Sequence, residues 1–280
     1  MILQPIDLNI DYAAVGVPEP KKPCKFTAYA PKTYGECTDI LRPAVIICPG
    51  GAYRWISDRE GVPVAQAFLA KGISAFILSY TVAENGRFPC ALIEAFSAVR
   101  YVRAHADAYR IDPDRIYLCG FSAGGHAAAA AGVLWNHPVA ESLGFTGRRH
   151  RADGLILGYP VITGGEYAHR DSIRNLLGDA YSAETVELVS LEKQVNVETP
   201  RTFLWHTAAD RSVPVQNSLL FADALIRNGV ETELHVYPRG EHGLSTARFD
   251  VLTPGRFTID PFMLETVRSW TDDAIRFIFA

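Results

Sequence analysis

The chain has 280 residues, of which 48% are hydrophobic and 21% are charged, ordinary values for a globular protein that can bury one sizeable core. Its net charge is −4, from 27 basic and 31 acidic residues without a basic block, which argues against nucleic acid and anionic membranes as partners. No apolar run approaches the length of a membrane span, and residues 1–22 lack the basic head and apolar stretch of a secretory signal. We therefore expect a cytoplasmic protein that forms a single domain over residues 1–280.

The cysteines and known cofactor motifs give no sign of a metal or cofactor site. The five cysteines are Cys24, Cys37, Cys48, Cys90 and Cys119, with no C-x-x-C pair and no metal-type spacing. Cys48 and Cys119 lie inside apolar runs, so we expect both to be reduced core residues. H-E-x-x-H, Walker A and G-x-G-x-x-G motifs are absent from the sequence. The expected chemistry therefore uses neither a metal nor a cofactor.

Strand-like and helix-like segments alternate along the chain. Residues 4–10 and 24–30 alternate apolar and polar side chains, which favours antiparallel strands, and Glu231–Tyr237 does so as an outer strand would. Short apolar runs predict strands buried on both faces at Ala44–Cys48, Ile73–Tyr80, Ile116–Cys119, Asp153–Pro160 and Thr202–His206. Apolar residues at helical spacing predict helices at Gly61–Lys71, from Pro89 through Val102, after Ser122, at Val215–Asn228 and at Ile259–Phe279. This order predicts an α/β fold with a doubly wound, mostly parallel sheet covered by helices on both faces.

The segment 161–199 is less regular than the rest of the chain. It carries Gly164-Gly165 and two or three short helical patterns between two predicted core strands. Insertions of this kind often form caps or lids over a site. We therefore predict a cap at about 161–199.

Residues 115–135, RIYLCGFSAGGHAAAAAGVLW, contain the pattern Gly-x-Ser-x-Gly around Ser122. An apolar run precedes the pattern and an alanine-rich helical stretch follows it. In a nucleophile elbow this pattern places a serine on a strained turn between strand and helix, with its hydroxyl exposed at the end of a sheet. Ser122 is therefore the candidate nucleophile.

A serine nucleophile needs a general base and a group that orients the base. In a doubly wound sheet, active residues gather in the loops past the carboxyl ends of the strands. Asp210 follows the last buried strand and His242 follows the outer strand, which gives the chain order Ser, Asp, His of elbow hydrolases. His206 lies inside a predicted strand and His126 lies one turn past Ser122, so both are weaker candidates for the base.

Attack on an acyl carbon creates an oxyanion that preorganised N–H donors must stabilise. One expected donor is the N–H of Ala123, the residue after the nucleophile. The other is expected from the glycine-rich loop Pro49–Tyr53, which follows the first buried strand. Gly51 or Ala52 is the predicted donor, and the sequence does not separate the two.

The segments PGGAYRW, GFSAGGHAA, LWHTAADRSVPVQNS and YPRGEHGLS resemble the α/β-hydrolase superfamily. More narrowly, they resemble its bacterial esterase branch, which includes carbohydrate acetylesterases that are acetyl xylan esterase-like or associated with endo-1,4-β-xylanases. The resemblance extends from about Ile40 to the last helix. It implies the α/β-hydrolase fold, and it assigns the triad to Ser122, Asp210 and His242 and the oxyanion region to Gly51, Ala52 and Ala123.

Three positions depart from the pattern of that branch. Thr81 stands where an arginine often follows the strand tyrosine, and Glu94 stands where an aspartate is common. Arg239 replaces a small residue before the histidine loop. None of the three belongs to the predicted triad.

The leading functional prediction is a serine carboxylesterase that removes short acyl groups, acetyl in the first place, from a small-molecule ester such as an acylated carbohydrate. An amidase, arylformamidase or peptidase of the same superfamily shares the triad and stays open, as does a binding protein on a hydrolase scaffold. Tyr53, Trp55 and Tyr159 are candidates for the substrate pocket, and packing roles explain them equally well. The sequence leaves the oligomeric state open, a homo-oligomer included.

Overall fold

Among the described residues, eight strands form one twisted sheet with helices on both faces. The computed structural model describes residues 2–32, 35–36, 40–252, 255, 257 and 260–280. The strands are Ile2–Ile6 (β1), Lys25–Ala30 (β2), Arg42–Cys48 (β3), Ser74–Ser79 (β4), Ile111–Phe121 (β5), Gly154–Gly158 (β6), Arg201–Thr207 (β7) and Thr232–Tyr237 (β8). Their spatial order is β1-β2-β4-β3-β5-β6-β7-β8. β2 runs antiparallel to β1 and β4, and the other neighbours pair in parallel, which confirms the predicted fold class.

From β3 onward, helices lie between consecutive strands, and further helices follow β8. They are Val62–Leu69 (α1), Cys90–Ala104 (α2), Ala106–Tyr109 (α3), Ala123–Val133 (α4), Pro138–Ser142 (α5), Arg170–Leu177 (α6), Ala183–Leu188 (α7), Gln216–Arg227 (α8), Pro261–Arg268 (α9) and Trp270–Phe279 (α10). Short 3₁₀ turns occur at Ala13–Val15, Asp58–Glu60, Gly178–Ala180 and Leu191–Lys193. In the part of the chain that the structure covers, every helix falls short of the length and apolarity that crossing a membrane requires.

Two hydrophobic cores lie on opposite faces of the sheet. Successive side chains of a strand point to opposite faces, so β3 sends Ile46 into the core that includes α2 and α4, and Val45 into the core that includes α1 and α10. In the second core, Trp205 of β7 stacks on Trp270 of α10 with ring centroids 5.2 Å apart. Cys48 and Cys119 are free and buried in these cores as predicted, whereas Cys37 lies outside the described residues.

Element boundaries differ from the sequence prediction near both ends of the chain. The predicted strand at residues 4–10 is replaced by β1, because Asp7 Oδ1 accepts the N–H of Asn9 in a local turn where Asn9 has a φ of 47°. The predicted closing helix from Ile259 is two helices separated at Ser269, which keeps helical angles of −58° and −23°. Ile259 itself lies outside the described residues.

Glu94 is a fully buried carboxylate that joins three parts of the fold. From α2 it accepts hydrogen bonds from the hydroxyl of Tyr12 at 2.7 Å and from the N–H of Thr81 at 2.6 Å, and it also contacts the Thr81 hydroxyl. Two of the three departures from the family pattern, Thr81 and Glu94, thus contact each other. Burial raises the pKa of Glu94 from 4.5 to about 7, although the hydrogen bonds from Thr81 and Tyr12 oppose the shift.

We expect the free energy of unfolding to carry a pH dependence from Glu94. Between pH 4.5 and pH 7 the folded chain keeps a proton on Glu94 that the unfolded chain has lost. The stabilisation of the folded state by protonated Glu94 is therefore fully present below pH 4.5 and is lost as the pH rises through 7. The loss amounts to about 3 kcal/mol. Urea unfolding at several pH values should show wild type losing this stability relative to Glu94→Gln, which stays neutral. The exposed Glu265→Gln serves as control, and a pH-independent difference between wild type and Glu94→Gln would contradict the expectation.

Candidate active site

Ser122 lies on the turn between β5 and α4, with φ 54° and ψ −121°. The turn is possible because glycines flank it. A Cβ added to Gly120 would lie 2.2 Å from the Gly124 carbonyl oxygen, and one added to Gly124 would lie 2.0 Å from the Cys48 carbonyl oxygen. Both distances are too short for any side chain. The Gly-x-Ser-x-Gly pattern therefore forms the strained strand–turn–helix that it predicts.

A continuous chain of hydrogen bonds connects Ser122 to His242 and Asp210. Ser122 Oγ lies 2.9 Å from His242 Nε2, and His242 Nδ1 lies 2.6 Å from Asp210 Oδ2. Because a carboxylate only accepts, Nδ1 carries the proton and Nε2 is left to accept the serine hydroxyl. Asp210 Oδ1 accepts the N–H groups of Ser212 and Val213 at 2.9 and 3.0 Å. The three side chains follow β5, β7 and β8, and the structure brings them together at one edge of the sheet.

The buried Asp210 is held in its ionised form. Burial alone would raise the pKa of Asp210, but hydrogen bonds from His206, His242 and the N–H of Val213 outweigh it, and the pKa lies far below its usual range. His206 belongs to β7 and is buried, with Nδ1 2.8 Å from the hydroxyl of Ser218. Its Nε2 donates to the Val213 carbonyl at 3.0 Å and lies 3.4 Å from Asp210 Oδ2.

His206 therefore supports the carboxylate of Asp210 from behind, a role that the sequence interpretation missed. On the sequence alone, His206 is a weaker candidate for the general base because it lies within a predicted strand. The available signal was its position four residues before Asp210, at the carboxyl end of that strand.

The glycine-rich loop after β3 turns back on itself beside Ser122. Gly51, Ala52 and Tyr53 have φ values of 131°, 54° and 55°, and a Cβ at Gly51 would lie 1.9 Å from the Trp55 carbonyl oxygen. Asn175 of α6 donates its side-chain amide to the Ala52 carbonyl at 2.9 Å.

The backbone N–H groups of Gly51, Ala52 and Ala123 meet no acceptor within the described chain. Gly51 and Ala52 line the pocket that contains Ser122. Ala123 follows Ser122 directly in the chain and is the first residue of α4. These N–H groups are thus available to an oxygen atom bound in front of Ser122.

A pocket of about 810 Å³ opens in front of Ser122 and His242. Most of its lining residues are of polar or charged type, and the lining includes Arg54, Trp55, Asp58, Arg59, His169, Asp171, Arg174, Asn175 and Ser212. Trp55 is 54% exposed and presents a free aromatic surface. Four of these residues come from the segment 161–199, which also contributes α6 and α7. Burial and the nearby His242 imidazole lower the pKa of His169.

Two of the three aromatic residues predicted for the pocket lie behind it instead. Tyr53 is buried, and its hydroxyl bonds to His126 Nδ1 at 2.8 Å. Tyr159 is also buried, with its ring packed edge-on against His242 at 5.0 Å between centroids. Local sequence does not distinguish a tyrosine that lines a pocket from one that supports it. Of the three residues, only Trp55 is a lining residue.

Across the described ranges, the structure has no group of three or more His, Cys, Asp and Glu side chains that could hold a metal ion. The candidate site contains Ser122, His242 and Asp210 in one hydrogen-bonded chain. A hydroxyl bonded to an imidazole, which is bonded in turn to a buried carboxylate, is an arrangement suited to nucleophilic attack on an acyl carbon.

The chain is similar to a protein family and to several known proteins. The BD-FAE family model matches residues 29–225. Endo-1,4-beta-xylanase B of Butyrivibrio fibrisolvens is 38% identical over 231 residues, which cover 80% of this chain and 36% of the relative. Acetylxylan esterase of Xylanibacter ruminicola is 30% identical over 207 residues, covering 71% of this chain and 40% of the relative. The chain thus spans well under half the length of these two curated relatives.

A solved structure matches over nearly the whole chain. It is an acetyl ester-xyloside bifunctional hydrolase from Caldicellulosiruptor lactoaceticus, with a TM-score of 0.80 and 35% sequence identity. The match covers 98% of this chain and 94% of that one. The likeness therefore extends to the segment 161–199 and to the closing helices.

Proposed function

Since the chain belongs to the BD-FAE family of the α/β-hydrolase superfamily, we propose that it is a serine carboxylesterase that removes short acyl groups, acetyl in the first place, from carbohydrates or similar small molecules. The observation that carries the proposal is the hydrogen-bonded chain from Ser122 through His242 to Asp210, which opens into the pocket. The names of the acetylxylan esterase and of the acetyl ester-xyloside hydrolase support the acyl group and the substrate class.

In the proposed reaction, Ser122 Oγ attacks the ester carbonyl carbon while its proton passes to His242 Nε2. Asp210 holds the imidazole in the required tautomer and stabilises the imidazolium that forms. The N–H groups of Ala123 and of Gly51 or Ala52 stabilise the oxyanion. His242 then protonates the leaving alcohol, and an acyl-enzyme ester remains on Ser122. Water activated by His242 releases the acid and restores the serine.

The proposed cap is the segment 161–199, which forms one wall of the pocket through α6. Asn175 connects this wall to the glycine-rich loop Pro49–Tyr53, which we call the oxyanion loop, by its bond to the Ala52 carbonyl. Four side chains of the segment line the pocket together with Trp55 and the turn at Asp58–Glu60. This segment therefore contributes to the choice of alcohol.

Trp55 offers a test of the carbohydrate part of the proposal. Stacking of a sugar ring on its exposed face is worth about 1 kcal/mol, so Trp55→Ala should raise KM for acetylated xylo-oligosaccharides roughly 5-fold. KM for p-nitrophenyl acetate, which carries no sugar, should change by less than about 3-fold. Phe262→Ala removes an aromatic ring that is 75% exposed and outside the pocket lining, and serves as control. Equal effects of Trp55→Ala on both substrates would argue against stacking.

A substrate panel tests the acyl group and the bond that is cleaved. We expect p-nitrophenyl acetate to be hydrolysed faster than the octanoate, and acetylated xylo-oligosaccharides faster than N-formylkynurenine. Preference for octanoate would contradict the short-acyl proposal. Preference for N-formylkynurenine would support an arylformamidase instead.

A further inference from the structure

The 3₁₀ turn at Asp58–Glu60 lies between the oxyanion loop and the loop that carries His242. Glu60 is 3% exposed, and both of its carboxylate oxygens are occupied. Oε2 accepts the N–H of Gly50 at 2.9 Å, and Oε1 accepts the hydroxyl of Tyr159 at 2.7 Å. The carboxylate thus binds the start of the oxyanion loop on one side and a residue just past β6 on the other.

Tyr159 extends this connection to the histidine loop. Its hydroxyl accepts the N–H of Ser245 at 2.9 Å while it donates to Glu60. Ser245 Oγ in turn donates to the Arg59 carbonyl at 2.7 Å, and Arg59 Nη1 donates to the Gly243 carbonyl at 3.0 Å. Two hydrogen bonds to Arg59 therefore join the loop that positions His242 directly to the turn, and the bond from Ser245 to Tyr159 joins it indirectly through Glu60.

The backbone adjoining these bonds is in an unfavourable conformation for residues other than glycine. Ala52, Tyr159 and Ser245 have φ values of 54°, 35° and 53°. Such conformations persist only where the surrounding structure holds them, and they cluster at functional sites. Glu60 accepts hydrogen bonds from Tyr159 and from Gly50, which lies close to Ala52 in the oxyanion loop. Tyr159 in turn accepts the N–H of Ser245. These bonds therefore hold the three strained positions.

Donor and acceptor counts make Glu60 difficult to replace. The carboxylate meets two donors, the Gly50 N–H and the Tyr159 hydroxyl, so an amide of the same shape leaves one of them without an acceptor. Burial raises the pKa of Tyr159 well above its usual value, so its hydroxyl stays protonated and continues to donate. A Cβ at Gly50 would lie 2.7 Å from Glu60 Oε2, which shows how closely the carboxylate fits the loop.

We propose that Glu60 is a positioning residue that, through Tyr159, holds the oxyanion loop and the His242 loop in fixed relation across Ser122. The proposal rests on the serine esterase function proposed above. Glu60 acts through other residues, because both of its oxygens are occupied by the protein. Its removal should therefore weaken transition-state stabilisation more than substrate binding.

The test compares Glu60→Gln, Tyr159→Phe and the double variant in hydrolysis of p-nitrophenyl acetate. Each single variant should lower kcat about 10- to 100-fold with KM changed less than about 3-fold. The double variant should be no worse than the poorer single variant by more than about 3-fold, because both changes break the same connection. Affinity for a trifluoromethyl ketone, which forms a tetrahedral oxyanion on the serine, should fall in parallel with kcat. Glu94→Gln, which changes a buried carboxylate outside the candidate active site, is the matched control and should keep wild-type kcat.

Three outcomes would overturn this inference. One is wild-type kcat in both single variants. Another is multiplication of the two effects in the double variant. The third is a kcat loss in Glu94→Gln equal to that in Glu60→Gln, which would indicate a general effect of losing a buried carboxylate. If Glu60→Gln fails to fold, Tyr159→Phe alone decides, since it removes a single oxygen atom. The proposed function fails separately, if wild type hydrolyses no ester or if Ser122→Ala retains its activity.

Discussion

Ser122→Ala is expected to lower kcat/KM for p-nitrophenyl acetate by a factor on the order of 10⁴ to 10⁶. Within the described chain, the serine hydroxyl bonds to His242 alone, so alanine removes the nucleophile and leaves the surrounding contacts in place. The backbone at φ 54° is equally strained for serine and alanine. The free energy of unfolding should therefore stay within about 1 kcal/mol of wild type.

Steady-state kinetics and urea unfolding of the same preparations measure both quantities. Ser142→Ala serves as the matched control, because within the described ranges its exposed hydroxyl bonds only to the Val139 carbonyl of α5. It should keep wild-type activity. Loss of less than about 100-fold in Ser122→Ala would show that hydrolysis proceeds without this nucleophile.

Asp210→Asn is expected to lower kcat about 10³- to 10⁴-fold with little change in KM, the size of effect that the corresponding change has in serine proteases. The amide oxygen can still accept the N–H groups of Ser212 and Val213. Its NH₂ group then faces His242 Nδ1, so the imidazole must take the tautomer that carries its proton on Nε2. In that tautomer His242 cannot accept the proton of Ser122.

The matched control for this change is Asp223→Asn, which alters an exposed aspartate of α8 that, among the residues the structure describes, pairs only with Arg227. Its kcat should equal that of wild type. Circular dichroism and urea unfolding should show that Asp210→Asn is folded. Wild-type kcat in folded Asp210→Asn would mean that this carboxylate does not orient the base.

The sequence predicted the parts of the molecule that depend on local patterns. The α/β fold is predictable because buried parallel strands and amphipathic helices differ in the period of their apolar residues. The sheet and helices of the structure confirm it. Membership of the predicted superfamily and of its esterase branch is confirmed by the matches to the BD-FAE family and to related esterases. Ser122, Asp210 and His242 were predicted together because each follows a strand, and strand ends of a parallel sheet share one edge.

The remaining parts depend on contacts between distant segments. Tyr159 donates to Glu60 across 99 positions of sequence, and no local pattern marks either residue. For Tyr53 and Tyr159 the sequence leaves a role in the pocket and a role in packing equally open, because their burial is set by contacts with distant segments. His206 was set aside as a strand residue, although its side chain is directed toward Asp210.

The most direct test of the account is to locate the covalent adduct of a fluorophosphonate probe. Tandem mass spectrometry must assign the site, because the tryptic peptide that contains Ser122 runs from Ile116 to Arg148 and also contains Ser142. The account predicts one adduct, on Ser122, which forms more slowly in Asp210→Asn and is absent in Ser122→Ala. An adduct on another residue, or an unlabelled wild-type protein that still hydrolyses p-nitrophenyl acetate, would contradict it.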